Sequence, residues 1–294
     1  MITFTLWKTE LLVKSNNMET QKAGLDVYSG YSSIKYLNKL SVIGTHNSAS
    51  FGVKGPLKSL VKCQSMTIEE QLEFGVRFFD LSLRAVEGVM EIYSGRSSCH
   101  MSYIEFQNKM IKFLDENPNE FVLLRLSVSE LSKSTTYWLN TLKRVIDFKV
   151  TNFLIKGVYS AKLYQLRGKI TILECEAMEK SSYIVHRQNL DVFCSEENYA
   201  GVIKQIEGSL KENECVKILR YDGGFSHNWK YWLFGTPKRF AEGFKKYLYS
   251  NYVPAEIPTG FGIHVFDFPE MFQTSYCNLI TKLLDLNNAK RITG

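Results

Sequence analysis

The sequence predicts an α/β fold, a single-domain TIM-like (β/α) barrel with parallel strands. Short apolar runs of strand length alternate with amphipathic helical patterns along most of the chain. No Pro- or Gly-rich linker and no internal repeat divides the 294 residues. A hydrophobic content of 45% is enough for one sizeable core, and a single barrel of this length is ordinary.

The predicted strands are apolar or alternating runs that end at a glycine or a polar cluster. They span residues 40–43, 76–83, 89–93, 121–126, 169–173, 216–219 and 261–266. Helical periodicity predicts helices over 67–72, 102–116, 135–148, 237–249 and 274–286. Thr67 and Glu70 form the capping-box pattern at the start of the first of these helices.

The composition indicates which cellular setting and which classes of partner to expect. The net charge of +6 is dispersed and forms no basic run, so we expect no nucleic-acid partner. The six cysteines lack a C-x-x-C spacing, which favours a reducing, cytoplasmic setting without a metal site. No signal peptide or membrane-spanning segment is predicted. We expect residues 1–36 to form a peripheral N-terminal arm and residues 37–294 to form the barrel domain.

One stretch is the strongest candidate for a functional site. The apolar run 40–43 ends at Gly44, and the polar cluster 45–48 that follows contains His46. A histidine just past a buried strand suits the active site of an α/β protein, because the strand aims the side chain and the loop exposes it. A loop histidine without catalytic function is the alternative interpretation.

Residues 40–48, followed by the run 75–81 with Asp80, resemble the opening of phosphatidylinositol-specific phospholipase C catalytic (X) domains. The resemblance extends to about residue 286. It implies that His46 is the general base acting on the inositol 2-hydroxyl. It also implies that Asp267 is the aspartate partner of His46 and that Asp80 is the family's acidic residue at the second strand end.

The same resemblance implies that the acid half of the site is lost. The family's second histidine, which protonates the leaving group, aligns with Ser94 in the run 93–95. A serine hydroxyl cannot supply a proton near neutral pH as an imidazolium can. In metal-independent members an aspartate partners that histidine, and its position is Asn47 here.

The cation of the family is also replaced. Ser82 stands where family members carry arginine or a Ca²⁺-binding aspartate, and Ser127 stands where they carry lysine or glutamate. Only Asn47 and Asp80 remain of the four Ca²⁺ ligand positions. Because Ca²⁺ takes about six to eight oxygen ligands, we expect no cofactor and no residual Ca²⁺ site.

Several residues could compensate for these losses. Arg84 shares a strand face with Ser82, and Arg125 shares one with Ser127, so either could bind the substrate phosphate or pair structurally with Asp80 or Glu174. Glu174 occupies the region of the family's inositol-binding arginine. His100 is either a replacement acid or a helix-start residue. The aromatic and lysine stretch 229–234 could sit at a lipid interface or be a barrel strand.

Two hypotheses about function follow. The first is a phospholipase C-like pseudoenzyme, catalytically impaired, that binds a phosphorylated inositol, another phospholipid headgroup or a protein partner, with peripheral membrane contact. The second is an active phosphoric diester hydrolase of lipid metabolism with a rearranged acid and cation. Glycerophosphodiester phosphodiesterases share the chemistry, but their His-Arg-Gly opening is not present.

Overall fold

The structure is a computed structural model. It describes residues 27–31, 33, 35–128, 161–175, 190–193, 199–209, 216–222, 235–252, 257, 259–274 and 277–287. The predicted helix at 135–148 and the aromatic stretch at 229–234 lie outside the described residues, as does the side chain of Glu174.

The strands and helices alternate as predicted. The strands are β1 (Ser41–Thr45), β2 (Val76–Val86), β3 (Val89–Ser94), β4 (Ser97–Ser102), β5 (Val122–Val128), β6 (Ile170–Cys175), β7 (Leu190–Phe193), β8 (Val216–Tyr221), β9 (Gly262–Phe266), β10 (Gln273–Thr274) and β11 (Cys277–Asn278). The α-helices are α1 (Lys58–Val61), α2 (Ile68–Glu73), α3 (Tyr103–Glu116), α4 (Leu163–Leu166), α5 (Tyr199–Ser209), α6 (Pro237–Asn251) and α7 (Leu279–Asp285). Short 3-10 turns span Leu37–Lys39, Ser50–Gly52 and Pro269–Phe272. No described helix combines the length and the apolar composition that crossing a bilayer requires.

Seven parallel strands, in the order β7-β8-β9-β1-β2-β5-β6, form a curled wall. This arrangement confirms the predicted barrel fold class. Within the described residues no ladder joins β6 to β7. Because the strands are parallel, their carboxyl ends meet at one rim, where barrel proteins place their sites.

Side-chain alternation divides the core into two layers. One buried cluster takes a residue from each of several strands and fills the barrel interior; it includes Val42, Phe78, Leu123, Ile218 and Val265. The neighbouring residues on the same strands face the surrounding helices. Continuing the interior alternation towards the carboxyl rim places positions 46, 80, 82, 125, 127, 220, 222 and 267 on the interior face. Because side chains alternate along a strand, these residues all point into the barrel mouth.

The amino ends of the strands are closed by two segments, whose buried side chains are Tyr28, Tyr31, Leu37, Ala161, Leu163 and Leu166. Tyr28 is fully buried, and its hydroxyl donates to the Ser41 carbonyl at 2.9 Å. Glu120 accepts from the Tyr28 and Ser29 amides at 2.8 and 2.9 Å, and from Arg77 Nε at 2.8 Å. The described part of the N-terminal segment therefore packs under the barrel. The domain boundary at residue 36 stays a prediction.

A hairpin that the sequence analysis recognised only in part extends β2. β3 pairs antiparallel with β2 and β4 pairs antiparallel with β3, around a turn at Glu87 and Gly88 with φ of 49° and 83°. Such two-residue turns match the twist of antiparallel strands. His100 lies on β4, so the expectation that it starts a helix is wrong. Helix α3 is instead capped by Ser102, whose Oγ accepts from the Glu105 amide at 3.1 Å.

The last predicted helix, 274–286, begins later than expected, at Leu279. Residues 273–274 (β10) and 277–278 (β11) pair antiparallel instead, and Thr274 Oγ1 accepts from the Cys277 amide at 3.2 Å. This side-chain contact gives the backbone an alternative to a helical turn. The capping box at Thr67 and Glu70 is present as predicted.

A buried histidine makes the stability of this fold sensitive to acid. His264 on β9 donates through Nε2 to the Gly260 carbonyl at 2.8 Å, and its Nδ1 accepts from the Tyr221 hydroxyl at 2.8 Å. Both contacts suit the neutral ring with its proton on Nε2. Burial lowers the pKa of His264 from 6.5 to about 4.

We expect this residue to cost stability below pH 6.5. Above that pH the ring is neutral in the folded and unfolded chains, so it adds no pH dependence. Between pH 6.5 and about 4 the unfolded chain takes up a proton that the folded chain does not, which costs roughly 2–3 kcal/mol by pH 4.5. Urea unfolding at pH 7 and pH 4.5 should show a smaller drop for His264→Gln than for the unmodified chain. Equal drops would contradict the assignment.

Candidate functional site

The core of the site is a contact between the ends of β1 and β9. The two strands pair in register from Ser41 and Gly262 to Thr45 and Phe266, so the residues that follow them are neighbours. His46 Nδ1 and Asp267 Oδ1 are 3.0 Å apart. Gln64 Nε2 donates to the carbonyls of both His46 (2.8 Å) and Phe266 (2.9 Å) and holds the two strand ends together.

The charges around His46 favour its protonated form. Burial alone would lower the pKa of His46, but Asp222, with Oδ2 at 3.5 Å from Nδ1, and Asp267 together raise it above its ordinary value. Burial raises the pKa of Asp267, against the opposing effect of the nearby His46. The ring is about one-fifth exposed, while the Asp267 side chain is fully buried. The arrangement fits a histidine base that is oriented and charge-supported by carboxylates.

Asn47 lies on the other side of the imidazole ring. Its φ of 43° turns the chain in the left-handed region directly after His46, a conformation that Asn tolerates better than most residues. Asn47 Nδ2 is 3.1 Å from His46 Nε2 and 3.7 Å from Cys63 Sγ. The amide therefore covers the ring nitrogen that does not face Asp267.

Asp80 enters the same space from β2. Its amide donates to Ser48 Oγ at 2.9 Å, and its Oδ2 lies 3.8 Å from Arg125 Nη1. On β8, Arg220 Nε donates to Asp222 Oδ2 at 2.7 Å, and Asp80 also attracts the Arg220 guanidinium. A charge network thus runs from Arg125 through Asp80, Arg220 and Asp222 to His46.

The two serines that are predicted to replace the family's cation contact each other. β2 and β5 pair Ser82 with Ser127, and their hydroxyls are 2.8 Å apart. Neutral hydroxyls that hydrogen-bond each other bring no charge to a phosphate. They also offer no carboxylate to a Ca²⁺ ion, and Asp80 is already balanced by arginines. This donor set does not fit a Ca²⁺ site.

Ser94 lies at the same rim but is covered. Its side chain is fully buried, and its hydroxyl donates to the Val61 carbonyl at 2.6 Å. Val61 also contacts the Cys63 thiol, which in turn contacts Asn47. These contacts connect Ser94 with His46 through the segment 61–63, so the two residues lie on one side of the molecule. Helix α1 and this segment close the space at Ser94.

The residues predicted to compensate for the lost acid and cation differ in their distance from the site. Arg84 stacks on Tyr93, with its guanidinium 4.5 Å from the ring centre, and donates to the Gly95 carbonyl at 3.0 Å. It therefore belongs to the β2–β3 hairpin. Arg125 does reach Asp80. His100 is exposed on β4. Glu174 pairs with Arg125 through the β5–β6 backbone register, and its side chain lies outside the described residues.

Three residues of the site were missed by the sequence analysis. Arg220 and Asp222 were missed because the predicted strand stopped at residue 219, whereas β8 continues to Tyr221. Extending the alternation from Ile218 would have placed both on the interior face. Cys63 follows α1 in a loop, and no periodicity signals its position beside His46. The catalytic roles assigned to His46, Asp80 and Asp267 stay predictions.

Comparison with known proteins gives matches in sequence and in fold. The family model PI-PLC X 1 matches residues 31–140. A 1-phosphatidylinositol phosphodiesterase of Staphylococcus aureus (strain Newman) is 31% identical over 94 residues, which are 31% of this chain and 30% of that relative. The chain therefore spans under a third of that relative's length in this match. A 1-phosphatidylinositol phosphodiesterase of Listeria monocytogenes serovar 1/2a is 25% identical over 251 residues, 80% of this chain and 78% of the relative.

Solved structures show the same barrel. Phosphatidylinositol-specific phospholipase C from Listeria monocytogenes superposes with a TM-score of 0.71 at 19% identity, covering 90% of this chain and 98% of that structure. The S. aureus enzyme, in a structure that concerns its membrane binding, superposes with a TM-score of 0.69 at 17% identity, covering 91% and 99%. At these identities the superpositions establish the fold. Taken with the sequence matches, they show that this chain is similar in fold to phosphatidylinositol-specific phospholipases C and, over residues 31–140, similar in sequence to their X domain.

Proposed function

We propose that this chain binds a phosphorylated inositol headgroup at the barrel rim and cleaves phosphatidylinositol at or near the background rate. The observation that carries the proposal is the burial of Ser94. A general acid must reach the leaving oxygen, whereas this hydroxyl donates to the Val61 carbonyl and is fully buried. Neither the chemistry of serine nor its surroundings supports proton donation.

The base half of the site supports retained binding. His46 is hydrogen-bonded to Asp267, and the carboxylates of Asp222 and Asp267 raise the pKa of His46, which favours its imidazolium form. An imidazolium attracts a phosphate and can donate to an inositol hydroxyl. Asn47 at His46 Nε2 must turn aside before that nitrogen can accept a proton from substrate. This contact opposes catalysis more than it opposes binding.

Arg125 is the best placed phosphate ligand. Its guanidinium is about one-fifth exposed and meets Asp80 at 3.8 Å, a distance beyond a strong hydrogen bond. The exposed part of this guanidinium is accessible to a phosphate at the barrel rim. Arg220, by contrast, donates hydrogen bonds directly to Asp222. Its role is therefore to position Asp222 beside His46.

A second candidate function is slow phosphodiester hydrolysis with Arg125 and Arg220 in place of the missing cation. The intact contact between His46 and Asp267 at 3.0 Å favours it. In that case Asn47 turns aside, His46 Nε2 deprotonates the inositol hydroxyl, and the leaving group departs without an acid. The two candidates predict different products but the same binding site.

Vesicles of phosphatidylcholine with and without phosphatidylinositol test the proposal. We expect the purified chain to sediment with the inositol-containing vesicles and to release little inositol phosphate. Arg125→Gln should reduce this sedimentation about tenfold, because a hydrogen bond to a charged group contributes roughly 1.5–3 kcal/mol. Lys109→Gln removes one positive charge from the surface of α3, where Lys109 pairs with Glu69, and serves as the matched control.

Equal sedimentation with both vesicle types would contradict headgroup binding. Rapid release of inositol phosphate that is abolished by His46→Ala would replace the first candidate by the second.

A further inference from the structure

A buried thiol lies beside the predicted catalytic base and has no part in the family chemistry described above. Cys63 is a free, buried cysteine. Its amide and that of Gln64 both donate to Ser50 Oγ, at 2.9 and 3.0 Å, and the Gln64 side chain ties the ends of β1 and β9. The backbone around Cys63 is therefore fixed against the site, and the thiol is held in place.

The thiol, the imidazole and a carboxylate form a compact cluster. One ligand atom each from His46, Cys63 and Asp267 lie within 4.8 Å of one another. Within the described part of the chain, Asp267 Oδ2 is buried and has no hydrogen-bond partner. A buried carboxylate oxygen without a partner is costly. Such an atom, beside a thiol and an imidazole, is an unfilled ligand position.

We propose that His46, Cys63 and Asp267 form a binding site for a thiolate-preferring divalent cation, with Zn²⁺ as the best match. Zn²⁺ takes four ligands of the N, S and O types in a tetrahedral arrangement. Asp222, whose Oδ2 is 3.5 Å from His46 Nδ1, or a water supplies the fourth ligand. A sulfur ligand selects zinc over Ca²⁺ and Mg²⁺, which prefer oxygen.

The cluster needs only small side-chain movements to bind the ion. Bonds of about 2.0–2.3 Å place tetrahedral ligand atoms roughly 3.3–3.7 Å apart. The separations here run from 3.0 Å, between His46 Nδ1 and Asp267 Oδ1, up to 4.8 Å. Rotation about the side-chain bonds of Cys63 and Asp267 covers that difference. The loop backbone held by Ser50 can remain where it is.

Proton positions change on binding. The Cys63 thiol gives up its proton to solvent, because a coordinating thiol is deprotonated by the metal. His46 presents the Nδ1 lone pair to the ion, so its own proton lies on Nε2. Asn47 Nδ2 faces Nε2 in the metal-free chain at 3.1 Å. A 180° turn of that amide presents its oxygen instead, as a hydrogen-bond acceptor that orients the ligand.

The bound metal and the catalytic base exclude each other. Coordination through Nδ1 breaks the hydrogen bond between His46 and Asp267 that a general base requires. The metal site stands whether or not the chain hydrolyses phosphatidylinositol, since it depends only on these three side chains. Any residual hydrolysis should be inhibited by Zn²⁺ at the concentrations that fill the site.

Metal binding to the full chain tests the proposal directly. The metal-free chain is titrated with Zn²⁺ in equilibrium dialysis and with Co²⁺ as a spectroscopic substitute. We expect one Zn²⁺ per chain and a sulfur-to-cobalt charge-transfer band. Cys63→Ser should abolish the band and weaken Zn²⁺ binding at least tenfold, since even outer contacts of metal ligands contribute about 10–100-fold. Cys277→Ser changes another free, buried cysteine, on β11, and should behave as the unmodified chain.

A second variant tests the proposal if Cys63→Ser does not fold. Asp267→Asn keeps the size of the side chain and removes the ligand charge, so it should weaken Zn²⁺ binding while leaving the Cys63 band detectable at higher Co²⁺. Unchanged Zn²⁺ binding in both variants would assign the metal to other residues and overturn the proposal. Absence of binding by the unmodified chain, or displacement of Zn²⁺ by an equal concentration of Ca²⁺, would overturn it as well.

Discussion

Introducing the residues that the phospholipase C family carries at three positions should give this chain a measurable rate of phosphatidylinositol cleavage. We expect Ser82→Arg with Ser94→His to raise phosphatidylinositol cleavage by about 10²-fold or more, and Asn47→Asp to raise it further. General acid catalysis contributes about 10²–10⁴-fold, and one electrostatic donor to a developing charge contributes roughly 10²–10³-fold. The contributions within one site are not additive, so their product is an upper guide.

The structure separates the two substitutions. Ser82 is only partly buried and faces Ser127 in the barrel mouth, so an arginine there can extend towards the rim. Ser94 is enclosed by the Val61 carbonyl, so an imidazole requires segment 61–63 to move. Ser82→Arg alone should therefore give the more reliable gain, and Ser94→His should add to it.

Release of inositol phosphate from vesicles measures this effect, with His46→Ala added to each variant as the control. No gain in the triple variant would mean that the missing acid and cation are not what limits cleavage. Robust cleavage by the unmodified chain would contradict the impaired-enzyme proposal at its base. Arg125, Arg220 and exposed His100 would then be the groups to test.

The largest stability effect should come from the closed end of the barrel. We expect Glu120→Gln to lower the free energy of unfolding by about 3–5 kcal/mol, the usual cost of breaking a buried ion pair. Arg77 and Glu120 are both fully buried and meet at 2.8 Å. The same carboxylate accepts from the Tyr28 and Ser29 amides. The variant would therefore leave a buried guanidinium without its counter-charge and loosen the segment beneath the barrel.

Urea unfolding measures this change, with Lys109→Ala as the matched control. Lys109 pairs with Glu69 on the surface, where both side chains are accessible to water. Exposed ion pairs contribute about 0–1 kcal/mol. Similar losses in the two variants would contradict the assigned role of burial. A loss confined to Glu120→Gln would identify residues 27–31 as part of the folding unit.

The barrel fold class was predictable from the sequence alone, and so was a histidine at the end of its first strand. Strand and helix periods are local properties, because side chains repeat every two residues in a strand and every 3.6 in a helix. For the same reason the run before His46 could be recognised as a strand with a polar residue at its exit. The neighbouring placement of Asp267 followed once both residues were at the ends of parallel strands, and the structure puts the two side chains 3.0 Å apart.

The sequence also predicts the loss of the acid and the cation, from the serines at positions 82, 94 and 127. What the serines do instead could not be predicted from it. Ser82 and Ser127 satisfy each other because β2 and β5 pair in one particular register. Ser94 is satisfied by a carbonyl 33 residues away. Strand register and loop placement are set by packing between distant segments, and no local pattern encodes them.

Which charged residues contact one another in the candidate site became known from the tertiary structure and not from the sequence. Arg84 and Arg125 are equivalent by strand parity, yet one stacks on Tyr93 and the other meets Asp80. Cys63 lies beside His46 because the Cys63 and Gln64 amides donate to Ser50 Oγ and the Gln64 side chain donates to the His46 carbonyl, which folds this loop over the strand ends. Long side chains and loops choose among several contacts of similar energy, and the choice depends on the whole packed arrangement. The strand order of residue types was therefore sufficient to predict the barrel and the direction of the strand residues. The side-chain contacts in the candidate site depend on how the whole chain packs.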